Sequence, residues 1–457
     1  MNNRRFFLIL ISIILTVNAF AQARYEDNWK SLDSRPIPHW FEDAKFGIFI
    51  HWGVYSVPSW APNTGEVYSK YAEWYWKRLE GGSKECEKFL AFHDSIYGRK
   101  FKYQDFAPMF KAELFQPDEW ADLIARSGAQ YVVLTSKHHE GFTLWPSAES
   151  VNWNSVDIGP HRDLCGELTK AVKAKNLHMG FYYSLYEWYN PIYKTNLSEY
   201  VDEHMIPQMK DLINRYHPDI LWTDGEWEHT SKEWKAEQFL QWLYNASPVK
   251  ETIVVNDRWG KDTRGKHGGF YTTEYDLVNN ESALHKVFTH PWEECRGIAG
   301  SFGYNRNENV EDYSSAKQLI NLLIEKVSRG GNLLLNIGPT SDGRIPVIMQ
   351  ERLLQIGQWL MTNGEAIYGT RQWLDGAQQN NALKFTEKGK TLYLFLTDHS
   401  MRTVRINGVK HVKSISLLGC RENVSWRESG NGIAVSLPLL TIDEVPSPYA
   451  WVLKINR

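Results

Sequence analysis

The sequence predicts an α/β fold: a (β/α)8-like (TIM-type) barrel over residues 22–368, followed by a small antiparallel β-sandwich over 369–457. Three observations predict it. From Lys45 to about Tyr368, short apolar strands alternate with longer amphipathic helices, which is the order of a parallel sheet. No glycine fingerprint for dinucleotides or phosphates follows any of these strands, which argues against a doubly wound sheet. After Gly369 the texture changes to short strands broken by Asn407-Gly408 and Gly430-Asn431-Gly432, as hairpins require.

At the N-terminus, Met1-Asn2-Asn3-Arg4-Arg5 is basic, residues 6–17 are apolar, and Ala19-Phe20-Ala21 supplies a small-x-small cleavage pattern. Residues 1–21 therefore read as a signal peptide, and a periplasmic or secreted protein is expected. The apolar run falls short of the roughly 20 residues that span a bilayer, so no membrane insertion is expected. Gln22, not a cysteine, directly follows the cleavage site, which argues against a lipid anchor.

In the barrel, residues 46–50, 131–135, 178–183, 220–222, 253–255 and 332–336 read as buried strands, with 270–275 a further short extended piece. Helical spacing covers 117–129, 163–174, 197–216, 232–244 and 314–328. Residues 78–103, rich in glycine and charge, read as a long surface insertion. In the tail, 382–385, 391–397, 403–406, 412–418, 433–437 and 450–455 read as strands, carrying no chemistry and packing on the barrel.

A net charge of −3 without basic clusters gives no reason to expect nucleic acid as a partner. Cys86, Cys165, Cys295 and Cys420 have neither ligand spacing nor a disulfide framework and read as buried thiols, although an exported chain could pair two of them. Tryptophan equals phenylalanine at 20 residues each, and indole faces stack on the C–H patches of sugar rings.

The strand ends concentrate polar chemistry. His51-Trp52 follows the first strand and Glu73-Trp74 lies in the next loop; the second strand leads into Lys137-His138-His139-Glu140, and the third brings Tyr183. Trp222 and Asp224 end the fourth, Arg258 follows the fifth, and Glu274 ends the short extended piece. In a parallel barrel all of these map to one rim, where catalytic groups are mounted. Adjacent strand residues point to opposite faces, so His138, His139 and Glu140 converge only if the strand has already ended; no HxH pair or HExxH helix is present, and neither a metal nor another cofactor is expected.

Five stretches, residues 46–53, 135–142, 221–227, 255–260 and 330–339, resemble in order the α-L-fucosidases of glycoside hydrolase family 29. The resemblance implies a barrel with a β-sandwich after it and a retaining exo-acting hydrolase that acts on fucosylated oligosaccharides or glycoconjugates, with an oligomer open. It places the nucleophile on Asp224, in a W-x-D-G segment, and the acid/base on Glu274, in a T-x-E-Y context, with Glu293 in Pro-Trp-Glu-Glu-Cys the alternative. His51, His138, His139, Tyr183, Trp222 and Arg258 match positions that hold the sugar, and Glu73-Trp74 matches a pair on a nearby loop. An α-L-galactosidase using the same carboxylates, or a fucose-binding protein without catalysis, is the competing reading.

Glycoside cleavage passes through an oxocarbenium-like state, so one carboxylate must be charged while another carries a proton. Asp224, near histidine and Arg258, is expected to be the charged one. Glu274, ringed by Tyr271, Tyr275 and Trp259, is expected to carry the proton.

Overall fold

The computed structural model describes residues 24–276, 290–374, 383–398 and 400–457. The expected signal peptide lies outside the described residues, as does residue 382 at the head of the first expected tail strand. Eight strands form one curled sheet: β1 (Phe46–Ile50), β2 (Tyr131–Lys137), β3 (His178–Ser184), β4 (Ile220–Asp224), β5 (Val254–Val255), β6 (Tyr271–Glu274), β7 (Trp292–Gly297) and β8 (Asn332–Ile337). Their order is β5-β4-β3-β2-β1-β8-β7-β6, and every ladder is parallel.

The edges β5 and β6 meet at one parallel bridge, Asn256 to Phe270, with the Phe270 N–H donating to the Val255 carbonyl at 3.0 Å. The barrel thus closes along a seam, because residues 256–270 fold as turns and supply no helix between these two strands. Between the other described strands, helices Pro117–Arg126, Leu164–Ala174, Ile206–Tyr216, Ala236–Asn245 and Ala316–Ser328 cover the outside, and Val347–Asn363 follows β8. Their starts are encoded locally. Asp163 accepts from the Gly166 N–H, and Ser315 and Gln318 form a reciprocal capping box.

Several segments depart from the sequence reading, among them the helix Val347–Asn363 and the strands Arg371–Gln372 and Ser425–Ser429, which were not expected. The expected surface insertion contains the helix Lys84–Ile96, capped by Ser83, which buries Cys86, Phe89 and His93 on one face while its charges face water. The spacing i, i+3, i+7 was present but diluted by lysine and glutamate. β7 was not expected as a strand, because Trp292-Glu-Glu-Cys-Arg-Gly has little apolar character.

Along each strand alternate residues fill the barrel. Phe49, Tyr131, Val133, Tyr182, Ile220, Trp222, Val254, Cys295 and Leu334 form one interior cluster, while Ile48, Ile50, Val132, Phe181, Leu221 and Leu335 pack outward against the helices. That alternation brings Asp224, two residues beyond Trp222, to the mouth.

The tail is an antiparallel sandwich. One sheet runs β13 (Ser414–Leu417), β16 (Trp451–Asn456), β11 (Thr391–Leu396), β10 (Lys384–Lys388), β9 (Arg371–Gln372); the other runs β12 (Thr403–Asn407), β15 (Gly432–Ser436), β14 (Ser425–Ser429). Both sheets share a core built from Trp373, Phe385, Leu394, Val404, Ile406, Val435 and Leu453. In β11, Leu392, Leu394 and Leu396 face this core, while Tyr393 and Phe395 face the barrel's core. Trp359 of the last barrel helix donates its indole N–H to the Ala450 carbonyl at 2.8 Å, so the tail packs on the barrel as expected. All four cysteines are free thiols.

Candidate active site

The mouth of the barrel holds a cavity of about 350 Å³, at the small end of ligand sites and suited to one sugar ring. At its floor Arg258, 2 % exposed, touches two carboxylates at once. Its Nη1 donates to Asp224 Oδ1 at 2.7 Å, and its Nη2 donates to Glu274 Oε2 at 3.3 Å. The guanidinium is fixed from behind, where Nε donates to Thr272 Oγ1 at 3.0 Å and Thr272 in turn donates to Asp257 at 2.7 Å. It also lies over the Trp222 indole, 4.5 Å from the ring centroid, so this tryptophan supports the arginine from below as well as lining the cavity.

Asp224 also accepts from the Tyr182 hydroxyl at 2.8 Å. Burial alone would raise its carboxyl, but the Arg258 charge and the hydrogen bonds from Arg258 and Tyr182 outweigh it and hold the group at about 2. The turn that mounts it needs glycine: Gly225 has φ +75°, and a Cβ there would stand 2.6 Å from Tyr186 Cβ. Glu274 accepts from Tyr71 at 2.8 Å as well as from Arg258. Its contacts therefore differ from the aromatic ring expected, for Trp259 turns away to donate to the Asn256 carbonyl and Tyr275 donates to the Ala299 carbonyl.

Three imidazoles form the opposite wall. β2 shifts register between Thr135 and Lys137 and then ends, which lets the successive residues His138 and His139 both reach the cavity with ring centroids 4.1 Å apart. Glu140 does not line it. His51 hydrogen-bonds Asn336 through Nδ1 at 2.6 Å, His139 bonds Ser184 through Nδ1 at 2.6 Å, and His139 Nε2 stands 3.8 Å from Asp224 Oδ2. Burial drives all three to the neutral form: His138 to about 3, and His51 and His139 well below the ordinary imidazole range.

Glu73 and Trp74 complete the wall from the loop after β1. Burial lifts the Glu73 carboxyl to about 8 although it accepts from the Gly303 N–H at 2.9 Å, so it carries a proton at neutral pH. Trp74 packs edge-on against His139 and Trp188.

Two expected residues lie elsewhere. Tyr183 points outward from β3, where it donates to Gln208 at 2.8 Å and sits beside the buried Lys137–Glu187 pair; by strand alternation its neighbour Tyr182 takes the cavity position. Glu293 lies inside the barrel below the cavity, accepting from Tyr131 at 2.5 Å and from the Trp222 indole at 2.9 Å. Burial raises its carboxyl to about 7.

A sequence profile described as "Alpha-L-fucosidase" matches residues 12–365, and one described as "Alpha-L-fucosidase C-terminal domain" matches residues 377–456. The tissue alpha-L-fucosidase of Homo sapiens is 44 % identical over 451 residues, covering 95 % of this chain and 92 % of the human protein. The chain belongs to the α-L-fucosidases of glycoside hydrolase family 29. A Thermotoga maritima alpha-fucosidase in complex with a mechanism-based inhibitor matches this fucosidase with a TM-score of 0.80 at 36 % identity, covering 95 % of this chain and 100 % of that one. The same organism's enzyme in complex with fucose gives 0.77 at 36 %, covering 94 % and 100 %.

The fucosidase is a glycoside hydrolase that takes fucosylated glycans. Its cavity also contains residues that the sequence reading missed: Phe49, Tyr68, Tyr71, Tyr182, Phe302, and Arg78, Trp227 and Arg264. Phe49 carried a usable signal, because it precedes His51 by two residues and so shares its face, whereas Tyr182 is adjacent to the expected Tyr183 on a strand buried on both faces. Tyr68, Tyr71 and Phe302 sit on irregular loops, where no periodicity points inward.

Proposed function

We propose that the enzyme cleaves terminal α-L-fucose by double displacement, with Asp224 as nucleophile and Glu274 as acid/base. The observation that carries this reading is the single guanidinium of Arg258 bridging both carboxylates on the floor of a sugar-sized cavity. A shared guanidinium keeps the two groups close, which supports the spacing of about 5–5.5 Å used for retention over the ~6.5–9.5 Å that admits a water for inversion. Held at about 2, Asp224 stays ionised and attacks the anomeric carbon. Glu274, at the cavity wall, protonates the departing oxygen and then takes a proton from the incoming water. Glu293 is the weaker candidate because Trp222 and Tyr131 engage its oxygens beneath the cavity.

His51, His138, His139, Glu73, Trp74, Trp222 and Arg258 hold the sugar in this reading, joined by Tyr182 in place of Tyr183. Among the described residues no helix is long and apolar enough to cross a membrane, and the basic-apolar-small pattern of residues 1–21 supports export through a signal peptide. The deciding experiment follows the anomer first released from an aryl α-L-fucoside by NMR, for the wild type and for Asp224→Ala. Retention, with turnover in the variant reduced by roughly 10⁴-fold or more while its fold persists, is expected of a lost nucleophile. An initial β-anomer, or normal activity in the variant, would refute the assignment.

A further inference from the structure

We infer that Asn336 and Ser184 are positioning residues that lock His51 and His139 in the same tautomer, with Nδ1 protonated, so that both present Nε2 to the sugar as a bare acceptor. The inference extends the proposed sugar site, yet its physical basis lies in the two hydrogen-bond chains behind that site. Each chain ends on a backbone carbonyl, which only accepts.

Behind His51, Asn336 donates through Nδ2 to the Phe302 carbonyl at 2.6 Å. That bond fixes which end of the amide faces which way, because the amide oxygen could not make it. Asn336 Oδ1 is left facing His51 Nδ1 at 2.6 Å, and an amide oxygen can only accept, so the proton is on Nδ1. Behind His139, Ser184 donates its one hydroxyl proton to the Tyr186 carbonyl at 2.6 Å. Its oxygen must then accept from His139 Nδ1, 2.6 Å away, and again the proton is on Nδ1. Both rings are neutral through burial, so no second proton occupies Nε2.

The consequence is a rule of recognition. Sugar hydroxyls that meet these two nitrogens must donate to them, and a group that only accepts gains nothing there. His138 is not under the same rule, since its Nδ1 faces Glu140 Oε2 at 3.6 Å without a hydrogen bond.

The test reads tautomers directly, on ligand-free enzyme labelled with ¹⁵N-histidine, by two-bond ¹H–¹⁵N correlation at about pH 7, with the signals lost in His51→Gln and His139→Gln assigning the two rings. Protonated Nδ1 and bare Nε2 are expected at both, and Nε2–H at either would overturn the inference whatever the outcome for Asp224. Ser184→Ala is further expected to mix the His139 tautomers and raise KM about tenfold, with Ser184→Thr restoring both. An unchanged His139 spectrum in Ser184→Ala would show that serine does not set the tautomer. As ligands, monodeoxy and deoxyfluoro fucoses should lose affinity equally at the positions these nitrogens read; fluoro analogues that keep native affinity at every position would contradict acceptor-only nitrogens.

Discussion

Asp224 and Glu274, to which the proposed mechanism gives opposite tasks, differ in what surrounds each one. Asp224 sits between the Arg258 guanidinium and the Tyr182 hydroxyl, a setting that favours charge, and Glu274 shares Arg258 at a longer distance and accepts a second hydrogen bond from Tyr71. If Glu274 is the acid/base, its removal should matter most when the leaving group is poor. Glu274→Ala is expected to lower turnover of a natural fucosylated glycan by about 10²–10⁴-fold, but to spare an aryl fucoside with a good leaving group far more, and azide should partly restore the rate. Steady-state rates on the two substrates check this; equal losses on both would move the role to Glu293. The same scale shows what the sequence could and could not convey. Asp224, Arg258, Glu274 and the histidines follow strand ends and were readable as a rim, but the choice between Tyr182 and Tyr183 turned on which face of β3 points inward. Both strand faces are buried, so no polar alternation marked the inner one.

At the scale of elements, most strands and helices with apolar runs were legible, the helix Val347–Asn363 being an exception, and three of the misses share one cause. β7 carries Glu293 and Glu294, the edge strand β14 reads Ser-Trp-Arg-Glu-Ser, and the helix Lys84–Ile96 interleaves water-facing lysine and glutamate with its buried Cys86, Phe89 and His93. Charged side chains, buried in β7 and turned to water in the other two, erase the hydrophobic signal on which element prediction depends. The seam between β5 and β6 was also hidden, since closure depends on backbone approach and not on side-chain type. Gly269 makes that approach possible: a Cβ there would lie 1.8 Å from the Val255 carbonyl oxygen. Gly269→Ala is therefore expected to pry the seam apart beside Arg258, costing about 1–3 kcal/mol of stability and lowering kcat/KM. Thermal unfolding together with kinetics tests it, and a variant with wild-type Tm and activity would mean that the seam does not hold the site.

For the whole molecule, buried ionisable groups lie in and around the barrel's cavity, and their proton balance sets how stability depends on pH. Burial raises Glu73 and Glu140 to about 8, and Glu226, Glu293 and Glu308 to about 7, from an ordinary value of 4.5. Each of these keeps a proton in the folded state that the unfolded chain has released, so between 4.5 and its raised value each contributes stability that declines as pH rises. The neutral histidines act in the opposite sense. His138, lowered to about 3 from 6.5, resists a proton that the unfolded chain accepts, so its contribution declines as pH falls below 6.5. Below 6.5 the two trends partly cancel, and above it the carboxyls dominate until Lys45, which burial lowers to about 8, begins to act in the opposite sense. Asp224 and Glu187, both held at about 2, lose their contribution only in strong acid and do not alter this window. The expected profile is a broad Tm maximum near about pH 5 and its steepest fall between about pH 6.5 and 8. Calorimetry across that range decides it: a Tm that stays level or climbs from about pH 5.5 to 8.5 would mean that these carboxyls are ionised within the fold.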